Sequence, residues 1–309
     1  MGSPSDQTVL IFGGDSFTGR HLIPLLQEQG YDVHGTSRKK IAKTGAHQCD
    51  ITVLEQVRTV LEKVGPNFIV VLAGLSFVAH EQPLELYHSN VSGPLNVLQA
   101  CRETGMTPRK IILASSAAVY GRREGALSED LCPAPVNHYG ASKLCMEHLA
   151  SQYFEHFNIV ITRPFNYTGP GQGEKFVIPK IVSHYQRGAE RIELGNIDVV
   201  REFNDVRDVA DIYAKLLISK SASTVVNICT GRGYSLRQVL TTLEQITGAS
   251  LEVTRNPDFV RAHDIAVLTG DSTGLKKVIG EFSVYTLQDT LKSMLMHGQV
   301  PNLGKQSSS

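Results

Sequence analysis

The first half of the chain alternates short apolar runs with amphipathic segments. Residues 8–12 form a β-prone run that ends on Gly13-Gly14, and a helical pattern follows from about residue 18 to residue 29. Further strands are predicted at 31–36, 68–72, 110–115 and 158–162, and further helices at 52–64, 84–104 and 139–156. Continuous apolar strands that alternate with helices predict a parallel sheet covered on both faces, which is a doubly wound α/β fold. Such sheets bind ligands at the carboxyl ends of their strands.

The pattern changes after Arg163-Pro164, where a glycine-rich loop at 169–173 is followed by shorter helices and polar linkers. Helices are predicted at 206–218, 235–247 and 286–297, with an apolar strand at 224–228. We therefore predict an α/β domain over 1–166, to which 204–231 returns, and a second, smaller α/β lobe over 167–309. The segments 1–7 and 304–309 are small and polar, which predicts disordered ends.

Composition and charge exclude several classes of partner. The chain has 309 residues, 41% of them apolar, which is enough for one large or two smaller cores. Lys+Arg and Asp+Glu number 30 each, so no net field favours nucleic acid or an anionic membrane, and no apolar run is long enough to span a bilayer. The cysteines are scattered, odd in number and without metal-ligand spacing, at positions 49, 101, 132, 145 and 229. We predict reduced thiols, no metal site and a cytoplasmic protein.

The junction of the first strand and the first helix has the character of a pyrophosphate site. The segment Phe12-Gly-Gly-Asp-Ser-Phe-Thr-Gly19 matches Gly-x-x-Gly-x-x-Gly, except that Ser16 takes the middle position. A glycine turn lets backbone N–H groups and the helix N-terminus face the phosphates. The candidate cofactor contacts here are Gly13, Asp15, Ser16, Phe17 and Thr18. The serine either shifts the loop or bonds a phosphate, and a plain β-to-α turn is the alternative.

The second strand favours NADP(H) over NAD(H). An acidic residue near its end would bond the adenosine ribose, but the chain reads Gly35-Thr-Ser-Arg-Lys-Lys40. Thr36, Ser37 and Arg38 are suited to a 2′-phosphate, although a solvated basic turn is the alternative. Further candidates are Asp50 and Ile51 at the adenine, and Leu72, Ala73 and Gly74 beneath the cofactor. Asn90 either supports that segment or caps a helix.

The strongest chemical signal is the box Tyr139-x-x-x-Lys143, with Ser116 upstream at the end of an apolar strand. Residues four apart share one face of a helix, so the phenol and the ammonium can address the same molecule. Tyrosine titrates near pH ~10, and a neighbouring cation lowers the pKa of a phenol toward the range where it exchanges protons. We interpret Ser116, Tyr139 and Lys143 as catalytic. A packed helix tyrosine is the alternative.

Four segments stand in a characteristic order and spacing: the glycine turn from Gly13 to Gly19, Leu72-Ala-Gly74, Ser115-Ser-Ala-Ala-Val-Tyr-Gly121 and the Tyr139 box. With them the chain resembles the extended short-chain dehydrogenase/reductases, in their nucleotide-sugar-modifying branch, from Val9 to about Leu295. The resemblance implies an NAD(P)-binding Rossmann domain, a smaller nucleotide-sugar lobe, and the serine, tyrosine and lysine above as catalytic residues. It also implies a homodimer joined through the helices at 84–104 and 139–156.

Segments 163–172, 195–208 and 261–271 resemble the GDP-mannose 4,6-dehydratase and GDP-4-keto-6-deoxymannose reductase group. The nearest likeness is to the reductases that form GDP-D-rhamnose. By this resemblance Asn166, Val177 and Lys180 face the sugar nucleotide, Arg201 and Arg261 bind its diphosphate, and Asp264 binds its ribose. A neutral protein needs such local guanidinium groups to bind a diphosphate. The bland interpretation of Arg201 and Arg207 is a charged helix start, and beside the other residues we favour a functional role for Arg201 and a structural role for Arg207.

Departures from that group narrow the predicted reaction. The dehydratases carry a glutamate where this chain has Ala118, and alanine cannot move a proton. GDP-fucose synthases carry a cysteine at that position and a histidine where this chain has Gly171. We therefore predict NADPH-dependent reduction of the C4 ketone of a GDP-linked 4-keto-6-deoxyhexose, with D-rhamnose or 6-deoxytalose as the product sugar. The alternatives are an NAD-dependent UDP-sugar 4-epimerase and a non-catalytic dinucleotide-sensing protein.

Overall fold

The computed structural model describes residues 7–39, 44–75, 82–259 and 265–297. The strands of its largest sheet are β1 (Thr8–Phe12), β2 (Asp32–Ser37), β3 (Ala46–Gln48), β4 (Phe68–Val71), β5 (Lys110–Ala114), β7 (Ile159–Pro164) and β12 (Thr224–Ile228). They lie in the order β12-β7-β5-β4-β1-β2-β3, and every neighbouring pair is parallel. The predicted doubly wound parallel sheet is confirmed.

Helices cover both faces of this sheet, because alternate strand residues point in opposite directions. In β1, Leu10 and Phe12 pack into one apolar core, and Val9 and Ile11 pack into the other. The helices of the first face are α2 (Leu54–Val64), α4 (Gly93–Glu103) and α5 (His138–Ser151), and those of the second are α1 (Phe17–Glu28) and α7 (Val206–Ile218).

The helix predicted at 84–104 is divided into three pieces. A short helix α3 (Pro83–Tyr87) runs into one π-helical turn at His88–Ser92, and α4 follows. Pro94 has no N–H to donate to the carbonyl of Asn90, so regular α-helical bonding is interrupted there. The π-turn buries Asn90 completely, with its side chain bonded to Leu75 in the segment after β4 and to Ser142 in α5.

Among the described residues, the smaller lobe is built from short strands and three helices. The strands are β6 (Gly125–Leu127), β8 (Tyr167–Thr168), β9 (Arg191–Leu194), β10 (Val200–Glu202), β11 (Asn204–Asp205), β13 (Gly233–Ser235), β14 (Glu252–Arg255) and β15 (Val267–Gly270). The helices are α6 (Val177–Gln186), α8 (Leu236–Thr247) and α10 (Leu287–His297), which enclose a separate apolar core. A further helix, α9 (Thr273–Ile279), packs against β12 and α7 on the second face of the large sheet. Within the described ranges, no helix is long and apolar enough to cross a bilayer.

A polar docking cluster joins α7, which covers the large sheet, to the segment that leads into α10. Asp205 caps α7, pairs with Arg207 at 2.6 Å and accepts a hydrogen bond from Thr290 Oγ1 at 2.8 Å. The Arg207 guanidinium lies 3.7 Å from the centre of the Tyr285 ring, and the backbone N–H of Tyr285 donates to Asp208. Arg207 thus has structural partners of its own in this cluster.

Candidate functional site

The glycine loop after β1 is shaped by close backbone approaches. Gly13 has φ +84°, and a Cβ there would lie 2.7 Å from the backbone N of Ala73. A Cβ on Gly14 would lie 2.9 Å from Cα of Gly35. Larger side chains are therefore excluded, and the loop brings the N-terminus of α1 to the edge where β1, β2 and β4 end. This shape suits the pyrophosphate of a dinucleotide.

The hydroxyl of Ser16 is the N-cap of α1. Its Oγ accepts a hydrogen bond from the N–H of Gly19 at 3.1 Å, and its own N–H donates to the carbonyl of Gly13 at 3.0 Å. The sequence left open a shifted loop or a phosphate contact for this residue. In the structure the hydroxyl satisfies one of the unpaired N–H groups at the start of the helix.

The end of β2 carries both a cation and an anion. Thr36 and Ser37 are buried, and Thr36 Oγ1 accepts a hydrogen bond from the N–H of Gly13 at 3.2 Å. Arg38 is exposed, whereas Ser37 Oγ donates to the carboxylate of Asp15 at 2.7 Å. Residues 35–40, at the end of this strand and just beyond it, include no carboxylate. The fold supplies one from the glycine loop, at the position where an acidic residue would meet an adenosine ribose.

The predicted adenine contacts lie beside this edge. Burial acts to raise the pKa of Asp50, but hydrogen bonds from Thr52 and the nearby charge of Arg38 hold it below the ordinary value. The side chain of Ile51 is buried against Gly93 of α4, where a Cβ would approach it to 2.7 Å. Asp50 therefore presents a charge near Arg38, while Ile51 belongs to the core.

The segment Leu72-Ala-Gly74 continues from β4 toward Asn90 and Lys143. Asn90 Oδ1 accepts from the N–H of Leu75 at 2.8 Å, and Asn90 Nδ2 donates to Ser142 Oγ at 3.1 Å. A Cβ on Gly74 would lie 2.6 Å from Asn90 Oδ1 and 3.5 Å from Lys143 Nζ. Asn90 therefore supports this segment from the π-turn rather than capping a helix.

The three candidate catalytic side chains are brought together by β5 and α5. Ser116 follows β5 and caps a short 3₁₀ helix at Ala117–Tyr120. Asn137 caps α5, so that Tyr139 lies in its first turn, and the Tyr139 hydroxyl is hydrogen-bonded to Ser116. Lys143 is buried one turn further along, where its Nζ donates to the carbonyl of Ala114 at 2.7 Å.

Burial is the main cause of the pKa shifts of Tyr139 and Lys143. It raises the pKa of Tyr139 to about 12, which the hydrogen bond with Ser116 opposes and the nearby Tyr167 reinforces. It also lowers the pKa of Lys143 to about 8, which the carboxylate of Glu147 opposes. The predicted lowering of the Tyr139 pKa is therefore wrong for this structure, because desolvation of the phenolate outweighs the favourable contacts. The phenol of Tyr139 therefore keeps its proton at neutral pH.

A loop of the smaller lobe is bound directly to the start of α1. The rings of Phe17 and Tyr167 are stacked with centroids 5.9 Å apart, and the hydroxyls of Thr18 and Tyr167 lie 2.8 Å apart. Arg20 Nη2 also donates to the carbonyl of Gly171 at 3.1 Å. Sequence reasoning missed Tyr167, because its partners are about 150 positions away along the chain.

The predicted substrate contacts are spread over the smaller lobe. Asn166 follows β7 and is exposed, and Val177 at the start of α6 is also exposed. One turn after Val177, Lys180 Nζ donates to the carbonyl of Glu193 at 2.8 Å and lies 4.6 Å from the centre of the Phe259 ring. Arg201 lies on β10, where Nη1 donates to the carbonyl of Val200.

Two more predicted contacts, Arg261 and Asp264, lie outside the described residues. In the part of the chain that is described, no His, Cys, Asp or Glu cluster is arranged to hold a metal ion.

The chain is similar to enzymes that act on nucleotide sugars. The family described as the NAD dependent epimerase/dehydratase family matches residues 9–229. The chain is 38% identical to GDP-6-deoxy-D-talose 4-dehydrogenase of Aggregatibacter actinomycetemcomitans over 93% of its own length and 98% of the relative's. It is 34% identical to GDP-6-deoxy-D-mannose reductase of Pseudomonas aeruginosa, over 74% and 79% of the two chains. The solved structure of RMD from Pseudomonas aeruginosa with NADPH superposes with a TM-score of 0.83 at 29% identity, covering 94% of this chain and 97% of the other. These likenesses support a nicotinamide dinucleotide cofactor.

Proposed function

Because the chain belongs to the NAD-dependent epimerase/dehydratase family, we propose that it reduces the C4 ketone of GDP-4-keto-6-deoxy-D-mannose with NADPH. The observation that carries this proposal is the hydrogen-bonded Ser116–Tyr139 pair beside the buried Lys143. Ketone reduction needs a proton donor and an orienting polar group at one oxygen, and this pair has both.

The cofactor site is proposed at the carboxyl edge of the large sheet. The loop at Gly13 and the N-terminus of α1 would hold the pyrophosphate, and Arg38 with Thr36 and Ser37 would hold the 2′-phosphate. Because a Cβ on Gly74 would lie 2.6 Å from Asn90 Oδ1, glycine lets Asn90 hold the segment that would run beneath the cofactor. When bound, NADPH supplies the hydride.

Tyr139 is proposed to donate its proton to the oxygen that develops negative charge at C4. Its pKa of about 12 keeps the phenol protonated at neutral pH, which suits the reductive direction. The Ser116 hydroxyl would hydrogen-bond the same oxygen. Lys143 would bond the nicotinamide ribose, and its positive charge would stabilise the phenolate that remains after proton transfer.

The smaller lobe is proposed to hold the sugar nucleotide. Asn166, Val177 and Lys180 would contact it, Arg201 and Arg261 would pair with the diphosphate, and Asp264 would bond the ribose. Ala118 stands next to the trio and carries no group for the proton transfer that elimination of water requires. Reduction is therefore favoured over 4,6-dehydration.

A homodimer is part of the proposal. Helices α3, α4 and α5 would form the interface, and Leu84 on α3 is 81% exposed in the single chain. Burial of such a side chain in a partner is favourable, so size-exclusion chromatography with light scattering is expected to give twice the chain mass. The monomer mass would reject this arrangement.

The central test is incubation of the purified protein with NADPH and GDP-4-keto-6-deoxymannose, followed by loss of NADPH absorbance. Tyr139→Phe is expected to slow turnover by roughly 10²- to 10⁴-fold, because it removes the acidic hydroxyl and keeps the ring. Tyr153→Phe is the matched control, since that ring stacks on Phe157 away from the trio, and it should retain wild-type turnover.

Two results would contradict the proposed reaction. Undiminished reduction by Tyr139→Phe would contradict the assigned role of the phenol. Interconversion of UDP-sugars without added cofactor, together with no NADPH consumption, would favour a 4-epimerase instead.

GDP-6-deoxy-D-talose is a second candidate product, favoured by the 38% identity to a dehydrogenase of that sugar nucleotide. D-rhamnose and 6-deoxytalose differ only in the configuration at C4, so both arise from the same ketone by hydride addition to opposite faces. The proton coupling between H3 and H4 distinguishes them in the NMR spectrum of the product. A large trans-diaxial coupling identifies D-rhamnose, and a small one identifies 6-deoxytalose.

A further inference from the structure

A buried ion pair adjoins the proposed catalytic trio. Glu147 lies one helical turn after Lys143 on α5, Arg163 lies on β7, and each is 5% exposed. Arg163 Nη2 is 2.6 Å from Glu147 Oε2, and Arg163 Nε donates to Oε1 at 3.0 Å. Because desolvation offsets most of the attraction in such a pair, net stability is a weak reason for two charges at this depth.

The pair holds both ends of the segment that carries Ser116. The Ser115 hydroxyl donates to Glu147 Oε1, immediately before Ser116 in the chain. At the other end, Arg163 Nη1 donates to the hydroxyl of Tyr120 at 3.1 Å, and the guanidinium lies 5.0 Å from the centre of its ring. Tyr120 ends the short helix that Ser116 caps.

The surroundings of the pair connect it to α5 as well. Glu147 raises the pKa of Lys143 against the effect of burial, so the two side chains interact along the helix. Burial lowers the pKa of Arg163, but the hydrogen bonds to Glu147 and Tyr120 raise it above its ordinary value. Tyr120 in turn donates to Asn227 Oδ1 at 2.7 Å, which fixes its ring from β12.

We propose that Glu147 and Arg163 are positioning residues that fix the Ser116 hydroxyl relative to Tyr139 and Lys143. This inference rests on the proposed function. Neither side chain reaches the reacting atoms. Glu147 acts through Ser115 and through α5, and Arg163 acts through Tyr120, so a change in the pair moves the serine relative to the other two groups.

Glu147→Gln tests this directly, because it preserves the shape of the side chain and removes its charge. A displacement of about 1 Å at a reacting group slows catalysis on the order of 10²-fold, so kcat should fall by roughly 10- to 100-fold with little change in KM. The basic limb of the kcat profile should also move to lower pH, since the carboxylate that favours the charged Lys143 is gone. Glu147→Asp should restore the position of the limb.

Lys110→Met is the matched control. Lys110 is a buried cation, 2% exposed, at the opposite end of β5, where its Nζ donates to the carbonyls of Ser219 and Ser221. Its loss should lower stability and leave kcat and the basic limb unchanged. The inference would be overturned if Glu147→Gln folds and its kcat falls at the same basic pH as that of the wild type. It would also be overturned if Glu147→Gln loses no more kcat than Lys110→Met.

Ser115→Ala covers the case in which Glu147→Gln does not fold, because it keeps the ion pair and breaks only its link to the serine segment. We expect kcat to fall several-fold with a wild-type far-ultraviolet spectrum, and wild-type kcat would overturn the inference.

NADPH fluorescence, titrated between pH 7 and 10 without sugar nucleotide, separates this inference from the proposed reaction. NADPH binding by the Glu147→Gln protein should weaken at lower pH than binding by the wild type. That result without any ketone reduction by the wild type would reject the reaction and retain the positioning role. Coincident binding curves would reject the positioning role.

Discussion

Asp208→Asn should stabilise the protein at neutral and basic pH but not at acidic pH. Asp208 is 7% exposed within the docking cluster, and burial raises the pKa of its carboxyl from 3.8 to about 6. The hydrogen bond from the N–H of Tyr285 opposes this shift, and Asp205 reinforces it. The folded protein therefore holds the proton more tightly than the unfolded chain does.

The sign and the magnitude follow from linkage. A raised folded pKa gives stability that is fully present below pH 3.8 and is lost as pH rises through about 6. The shift of about two pH units corresponds to roughly 3 kcal/mol, since one unit is worth about 1.4 kcal/mol. An asparagine at this position carries no charge at any pH, and its Oδ1 can still accept from Tyr285. The expected gain at pH 8 is therefore up to about 3 kcal/mol, or roughly 5 °C in Tm for a chain of this size.

Urea denaturation followed by circular dichroism at pH 4, 6 and 8 measures the difference between the two proteins directly. The other carboxyl groups titrate alike in the wild type and the variant, so their contributions cancel in the difference between the two free energies of unfolding. Asp211→Asn on the same helix is the control, because Asp211 is half-exposed in an ion pair with Lys215 and should change stability by less than about 1 kcal/mol. If the free energies of unfolding of the wild type and Asp208→Asn differ by the same amount at pH 4 and pH 8, the reasoning is refuted.

Three further outcomes concern the proposed cofactor and trio. Arg38→Ala should weaken NADPH binding by roughly 10-fold and leave NADH binding unchanged. Asp15→Asn should strengthen NADPH binding, because it removes the negative charge that accepts the hydrogen bond from Ser37. Titration of cofactor fluorescence measures both affinities, and equal effects on NADPH and NADH would contradict a 2′-phosphate site. Gly74→Ala should weaken cofactor binding while leaving the fold intact, because the added Cβ would lie 2.6 Å from Asn90 Oδ1 and displace the segment that Asn90 supports. Calorimetric titration beside a circular dichroism spectrum measures both, and wild-type cofactor affinity would contradict this expectation. Wild-type kcat should fall as pH rises above about 8, where Lys143 loses its charge. Lys143→Met should be slow at every pH and should not show this fall. A fall of kcat at high pH that persists in the variant would assign it to another group.

Local patterns were sufficient to predict six strands of the large sheet, though not β3, and to predict that Ser116, Tyr139 and Lys143 lie close together. The strands around β1, β4, β5 and β7 are continuous apolar runs, so their positions depend little on distant residues. Tyr139 and Lys143 are four apart on one helix, and Ser116 directly follows a strand, which places all three at the same edge of a parallel sheet. The helix at 84–104 was predicted as continuous, but it is interrupted by the π-turn at His88–Ser92. The sequence shows that Pro94 lacks an N–H group, but it does not show how the preceding turn rearranges in response.

The features that sequence reasoning missed depend on contacts between distant segments. Asp15 meets Ser37 only after the glycine loop folds against β2, and Glu147 meets Arg163 only after α5 packs on the sheet. The pKa of Tyr139 depends on how deeply the fold buries it, which the spacing of the box does not contain. In the smaller lobe, strands of two to four residues are too short to show any periodicity.

The contacts of Phe17, Thr18 and Arg20 with the loop at 167–171 make the two halves of the site interdependent. The helix end that would receive the pyrophosphate is held by the segment that directly follows Asn166, a proposed contact of the sugar nucleotide. Any ligand that tightens one side of this contact lowers the free energy needed to order the other, and the coupling is equal in both directions. We therefore expect positive cooperativity between dinucleotide and sugar nucleotide, with each lowering the Kd of the other by the same factor.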